Sequence, residues 1–218
     1  MTAATPNPTG LRRFVAPRPA ATSAAERCEL CGEQLIGEHP HLADTERRSI
    51  ACACKACALL FTRPGGRYRT IPDRVMADPA RPLTEAEWAS LRIPVGMAFF
   101  FTNSAAGRVV ASYPSPAGVT ECELDLPTWD QLAQDHPLLR ALEPDVEAII
   151  VSVAGMLSPG TAAGDAGPGV EVFLVPIDAC YSLCGALRLT WRGFDGGAEA
   201  RGLLTDFLAG LRRRARPL

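Results

Sequence analysis

Five of the chain's eight cysteines fall inside CELCGEQLIGEHPHLADTERRSIACACKAC, residues 28–57. A stretch this short buries too little apolar surface to hold itself together, so a metal or cross-links must stand in for a core. The spacing favours a metal. Cys28-x2-Cys31 and Cys54-x2-Cys57 are two C-x2-C pairs with 22 residues between them. Two thiolates three positions apart grip one ion, and two such pairs complete a tetrahedron. Gly32, directly after Cys31, permits the tight turn that a cysteine knuckle needs. Between the pairs, HPHLADTERRSIACAC is patterned as a hairpin with Ser49 to Cys54 as its returning arm. ALLF after Cys57 is apolar enough to begin a short helix or to pack back on the site. This order predicts a zinc-ribbon or treble-clef-like module over residues 26–62, with Zn2+ held by Cys28, Cys31, Cys54 and Cys57.

Cys52 is the fifth thiol. On an extended strand it points to the same side as Cys54, with the two Cα atoms about 6.5–7 Å apart. It is expected near the metal but outside the ligand set, since only Cys54 makes the C-x2-C bite with Cys57; Cys52 remains a possible substitute. His39 and His41 lie on the same hairpin and read as surface or supporting histidines, with replacement of a thiolate as the alternative. Four thiolates hold iron as well as zinc. Rubredoxins also pair two C-x2-C knuckles, but there glycine normally comes after the second pair, whereas Ala58 stands after Cys57 here. Zinc is therefore preferred, with a rubredoxin-like iron electron carrier as the alternative.

Outside the cluster the sequence predicts an α+β domain over residues 63–218, its strands mostly antiparallel and flanked by helices. Residues 1–25, rich in Pro, Ala and Thr, read as a disordered tail. Arg63 to Pro82 reads as a loop. Thr84 and Glu87 form a capping box ahead of Trp88 and Leu91. IPVGMAFFFTN reads as a buried strand, and residues 107–124 as a hairpin turning at PSPAG. In its second arm Thr120, Cys122 and Leu124 share one face. Thr128 and Gln131 suggest a second capping box, opening a helix through Leu142 that Pro137 kinks or interrupts. Strands are expected over 146–155 and 170–177, joined by a loop over 156–169. Cys180, Leu183, Cys184, Leu187 and Trp191 lie on one helical face, with Asp178 as the expected N-cap. After a turn at GFDGG, Leu203, Leu204, Phe207 and Leu211 stripe a last helix that ends in Arg212-Arg213-Arg214.

The net charge of −2 gives no general pull toward nucleic acid. No run reaches the roughly 18 apolar residues of a membrane helix, and Arg12-Arg13 lacks the apolar stretch of a leader after it, so the expectation is a cytoplasmic protein. The catalytic signatures are missing: no phosphate loop, nucleophile elbow or H-E-x-x-H stands in the chain. His136 has no nucleophile motif beside it. Cys180, Cys184 and Cys122 read as core thiols. Arg67 and Arg69, with Tyr68 between them, read as a solvated loop able to touch an acidic partner. An enzyme with an unrecognised site in the α+β domain is the remaining alternative.

GLRRFVAPRPA, ERCELCGEQL, ACACKACALLF, GGRYRTIPDRV, LRIPVGMAFFF, YPSPAGVTE, LEPDVEAIIV, FLVPIDACYSL and WRGFDGG together resemble an actinobacterial family of unknown function. The resemblance spans nearly the whole chain. Genes for such proteins tend to lie beside those of nickel–iron uptake hydrogenases. The resemblance therefore implies an accessory role in hydrogenase assembly or electron transfer, with a protein partner in that system. It carries over no catalytic residues; only the pattern Cys28, Cys31, Cys52, Cys54 and Cys57 maps.

Overall fold

The computed structural model describes residues 26–115, 118–153, 169–193 and 196–218. The expected tail over 1–25, nearly all of the 156–169 loop, the tip of PSPAG and the middle of GFDGG lie outside these residues. The chain is α+β, with two mostly antiparallel sheets and, among the described residues, six helices.

The cysteine-bearing sheet is built from β1 (His41–Asp44), β2 (Ser49–Cys52) and β3 (Tyr68–Thr70), in the order β2-β1-β3. β1 and β2 form the expected hairpin, with His41 opposite Cys52 and Asp44 opposite Ser49. Helix α1 (Lys55–Phe61) comes next. The third strand was not legible: β3 and β4 (Met76–Ala77) both fall in the stretch expected to be a loop. Both are very short, and neither has the alternation that betrays a longer strand. Ion pairs fix this segment instead. Arg67 binds Asp44 through Nε (2.9 Å) and Nη2 (2.5 Å). Arg69 binds Glu143 and the Pro144 carbonyl. The acidic groups that Arg67 and Arg69 meet therefore belong to this chain.

The larger sheet adds β5 (Met97–Asn103), β6 (Arg108–Ser115), β7 (Gly118–Cys122), β8 (Glu147–Val153), β9 (Val170–Pro176) and β10 (Arg216–Pro217), in the order β10-β4-β9-β8-β5-β6-β7. Only the β10–β4 pair is parallel. Side chains alternate across a strand, and both faces of the central strands are apolar. Met97, Phe99, Ala148, Ile150, Phe173 and Val175 face one core; Ala98, Phe100, Ile149, Val151 and Leu174 face the other. The first core is covered by α5 (Ile177–Thr190) and α6 (Gly197–Arg214). The second is covered by α2 (Glu85–Ser90), α3 (Leu126–Asp135) and α4 (Pro137–Arg140). Phe100 stacks on Trp129 with ring centroids 4.6 Å apart and meets Trp88 edge-on.

The Thr84–Glu87 capping box is present in full. α3 is capped by Asp125, three residues before the expected cap Thr128. Pro127 is suited to a first turn, where its missing N–H costs nothing. Thr128 Oγ1 instead donates to Asp125 Oδ2 at 2.8 Å. The helix breaks at His136, whose extended backbone is what a succeeding proline favours, and restarts at Pro137. The N-cap of α5 is Pro176 and not Asp178. Asp178 lies in the first turn, and its carboxylate is turned to His41. Cys180 and Cys184 are buried in the first core, where burial raises both thiols, Cys184 to about 11.

Candidate metal centre

The first C-x2-C pair sits on a tight knuckle. The Gly32 N–H donates to the Cys28 carbonyl (2.8 Å), and the Cys28 N–H to the Glu33 carbonyl (2.8 Å). Gly32 has φ +80°, a left-handed conformation that a Cβ would strain. The second pair spans the start of α1. Cys54 is the N-cap, and its Sγ accepts the Cys57 N–H at 3.4 Å, so a thiol does the work usually given to Ser or Asp. The knuckle is tied to β2 by the Glu29 N–H, which donates to the Cys52 carbonyl (2.9 Å), and by the Cys52 N–H, which donates to Glu29 Oε1 (2.8 Å).

These ties bring the sulfur atoms of Cys28, Cys31, Cys54 and Cys57 within 4.8 Å of one another. Cys31 Sγ and Cys54 Sγ are 3.8 Å apart. That is far beyond the roughly 2.05 Å of a disulfide. It equals the edge, about 3.8 Å, of a tetrahedron whose centre lies about 2.3 Å from each sulfur, the ordinary zinc–thiolate distance. The donor set and its spacing therefore fit a metal ion.

The electrostatics agree. Burial opposes ionisation of Cys28, but the backbone N–H groups of Cys54, Cys31 and Leu30 outweigh it and bring the thiol down to about 6. Cys57 is pushed up, first by burial and then by its three sulfur neighbours. The upward shifts of Cys31 and Cys57 oppose their thiolates, and a dication among the sulfurs would offset that.

Cys52 is not in this group. Its side chain lies with those of His39 and His41, the three ligand atoms again within 4.8 Å of one another. His136 is buried elsewhere, with Nε2 3.0 Å from Glu87 Oε1 and Nδ1 3.3 Å from the Arg81 carbonyl, and thereby ties α2 to the start of α4. Cys122, at the end of β7, is partly buried against the second core.

Such a four-cysteine cluster, carried on a small sheet beside a larger one in an α+β chain, defines a protein with a candidate cysteine metal centre. The chain belongs to DUF5947, a family of unknown function, which matches residues 27–215. No curated protein and no solved structure matches it. No described helix is long and apolar enough to cross a membrane.

Proposed function

We propose that the chain is a non-enzymatic, cytoplasmic zinc-binding accessory protein that docks on a subunit or maturation factor of a nickel–iron hydrogenase. The observation that carries the docking role is the exposed apolar end of helix α1. The helix starts at the Cys54 thiol and ends in Leu59, Leu60 and Phe61, which are 82%, 75% and 47% exposed. A metal at the cluster fixes the first turn of the helix and so aims the apolar end outward. Exposed apolar patches of this kind mark contact surfaces. The resemblance of segments such as ACACKACALLF to the hydrogenase-linked family supplies the partner.

The test uses tagged full-length protein from a host that makes such a hydrogenase. The protein should be colourless, with zinc in an all-sulfur site that Cys28→Ser, Cys31→Ser, Cys54→Ser or Cys57→Ser each removes. It should capture a hydrogenase component, and Leu60→Glu, at an exposed position, should lose the partner while keeping the zinc. A red protein with stoichiometric iron would promote the electron-carrier alternative. Capture of no hydrogenase component would end the accessory reading.

A further inference from the structure

On the hairpin, His41 and Cys52 are direct cross-strand partners, and His39 stands two residues before His41. The two imidazoles meet edge-on, with centroids 5.0 Å apart. Each ring has one nitrogen already engaged. His39 Nδ1 lies 3.0 Å from the Gly37 carbonyl, and His41 Nδ1 lies 2.5 Å from Asp178 Oδ2. A carbonyl and a carboxylate only accept, so both Nδ1 atoms carry the proton, and each neutral ring keeps its lone pair on Nε2. His39 Nε2 is buried and has no hydrogen-bond partner among the described residues, on a side chain only 10% exposed. A buried polar atom without a partner is costly, and such an atom calls for an explanation. Metal-ligating histidines show this same arrangement: one nitrogen held by a carbonyl or carboxylate, the other free for the ion.

We propose that His39, His41 and Cys52 form a second metal site, separate from the four-cysteine cluster. It takes a borderline first-row divalent cation of the zinc class through two Nε2 atoms and one thiolate. Two nitrogens and a sulfur suit such a cation better than magnesium or calcium, which select oxygen. Binding releases the Cys52 proton to solvent and leaves net charge +1 on the ion–thiolate unit. Glu26, with Oε2 3.8 Å from His39 Nδ1, and Glu29, which accepts the Cys52 N–H, place negative charge beside it. Three protein ligands leave a fourth tetrahedral position for water or a small anion, the pattern that distinguishes reactive zinc sites from closed structural ones. Asp178 is the positioning residue. It belongs to α5, so the site joins the cysteine-bearing sheet to the larger one.

The experiment loads the full-length chain with Zn2+ alone, removes free metal, and measures stoichiometry and the zinc X-ray absorption edge. Wild type should hold about two zinc ions per chain, with nitrogen as well as sulfur in the averaged shell. Cys52→Ser, His41→Ala and His39→Phe should each hold one, in an all-sulfur shell. His39→Phe guards against misfolding, because it replaces an unpartnered buried nitrogen with carbon; retained zinc shows that it has folded. Asp178→Asn should keep both ions but bind the second about 10–100-fold more weakly. One zinc in wild type with no nitrogen in its shell overturns the proposal, as does a second zinc that survives His39→Phe and Cys52→Ser. Failure of the four-cysteine reading looks different: a nitrogen-containing zinc would remain and be indifferent to Cys31→Ser.

Discussion

Among the described residues, the buried apolar ones around the four cysteines are Cys28, Leu35, Leu42, Ala53, Cys57 and Ala58. Two of these six are thiols and two are alanines. The larger sheet buries aromatic and branched residues on both faces, with Phe100, Ile149, Ile150, Leu174 and Val175 all at zero exposure. Since burial stabilises in proportion to apolar area, at roughly 25 cal/mol per Å², the second region is expected to draw far more stability from its core than the first. One chain thus holds a region rich in buried apolar side chains beside one whose order is expected to depend on coordination. The difference teaches where each should fail.

The largest expected effect comes from metal removal. Structural zinc in small modules carries apparent binding free energies of about 10–16 kcal/mol, so a chelator should melt the cysteine-bearing sheet. Amide exchange would be fast through β1, β2 and α1 yet slow in β8 and β9. Equal loss of protection in both sheets would erase the distinction. Next in size is Phe100→Ala, which removes the ring stacked on Trp129. Such truncations cost about 3–5 kcal/mol. The denaturation midpoint of the larger sheet should fall accordingly while zinc content holds.

The smallest effect is a separation in pH. Protons compete with metal for thiolates, so acid should release the metal and loosen the cysteine region first. In the other region, burial opposes ionisation of Glu87, but hydrogen bonds from His136 and from the Thr84 N–H and hydroxyl outweigh it and hold the carboxyl at about 2. A depressed carboxyl stabilises fully above its ordinary value of 4.5, and that contribution disappears as the pH falls through about 2. Glu87→Gln should flatten the acid limb of stability between those values without moving the pH of metal release. Urea titrations at stepped pH, read beside metal content, measure both.

The cysteine spacing was legible because C-x2-C is a local pattern: the bite of each pair is set within four residues. Helix α2 was legible for the same reason, since Thr84 and Glu87 cap within one turn. The grouping of His39, His41 and Cys52 depends on register. H-x-H on one arm and a cysteine on the other converge only because the turn sets His41 opposite Cys52. Counting inward from that turn would have found the pair, though not Asp178, which arrives from 137 residues away. β3 and β4 were invisible because ion pairs formed at long range, Arg69 with Glu143 and Arg74 with Glu147, hold their segment. The start of α3 was misplaced because Thr128 offered a plausible cap while Pro127 fixed the turn.

Strand β1 is a party wall. Leu42 is packed into the cysteine region, and the next residue, Ala43, into the first core of the larger sheet. Successive side chains of a strand cannot move independently, because one backbone carries both. A tilt imposed from the thiol side must therefore be accommodated among Ile71, Phe99 and the helices beyond. Plaster on one side of such a wall cracks when the joists on the other side settle. Ala43, small and 6% exposed, leaves little slack for that movement to be absorbed before it reaches the next room.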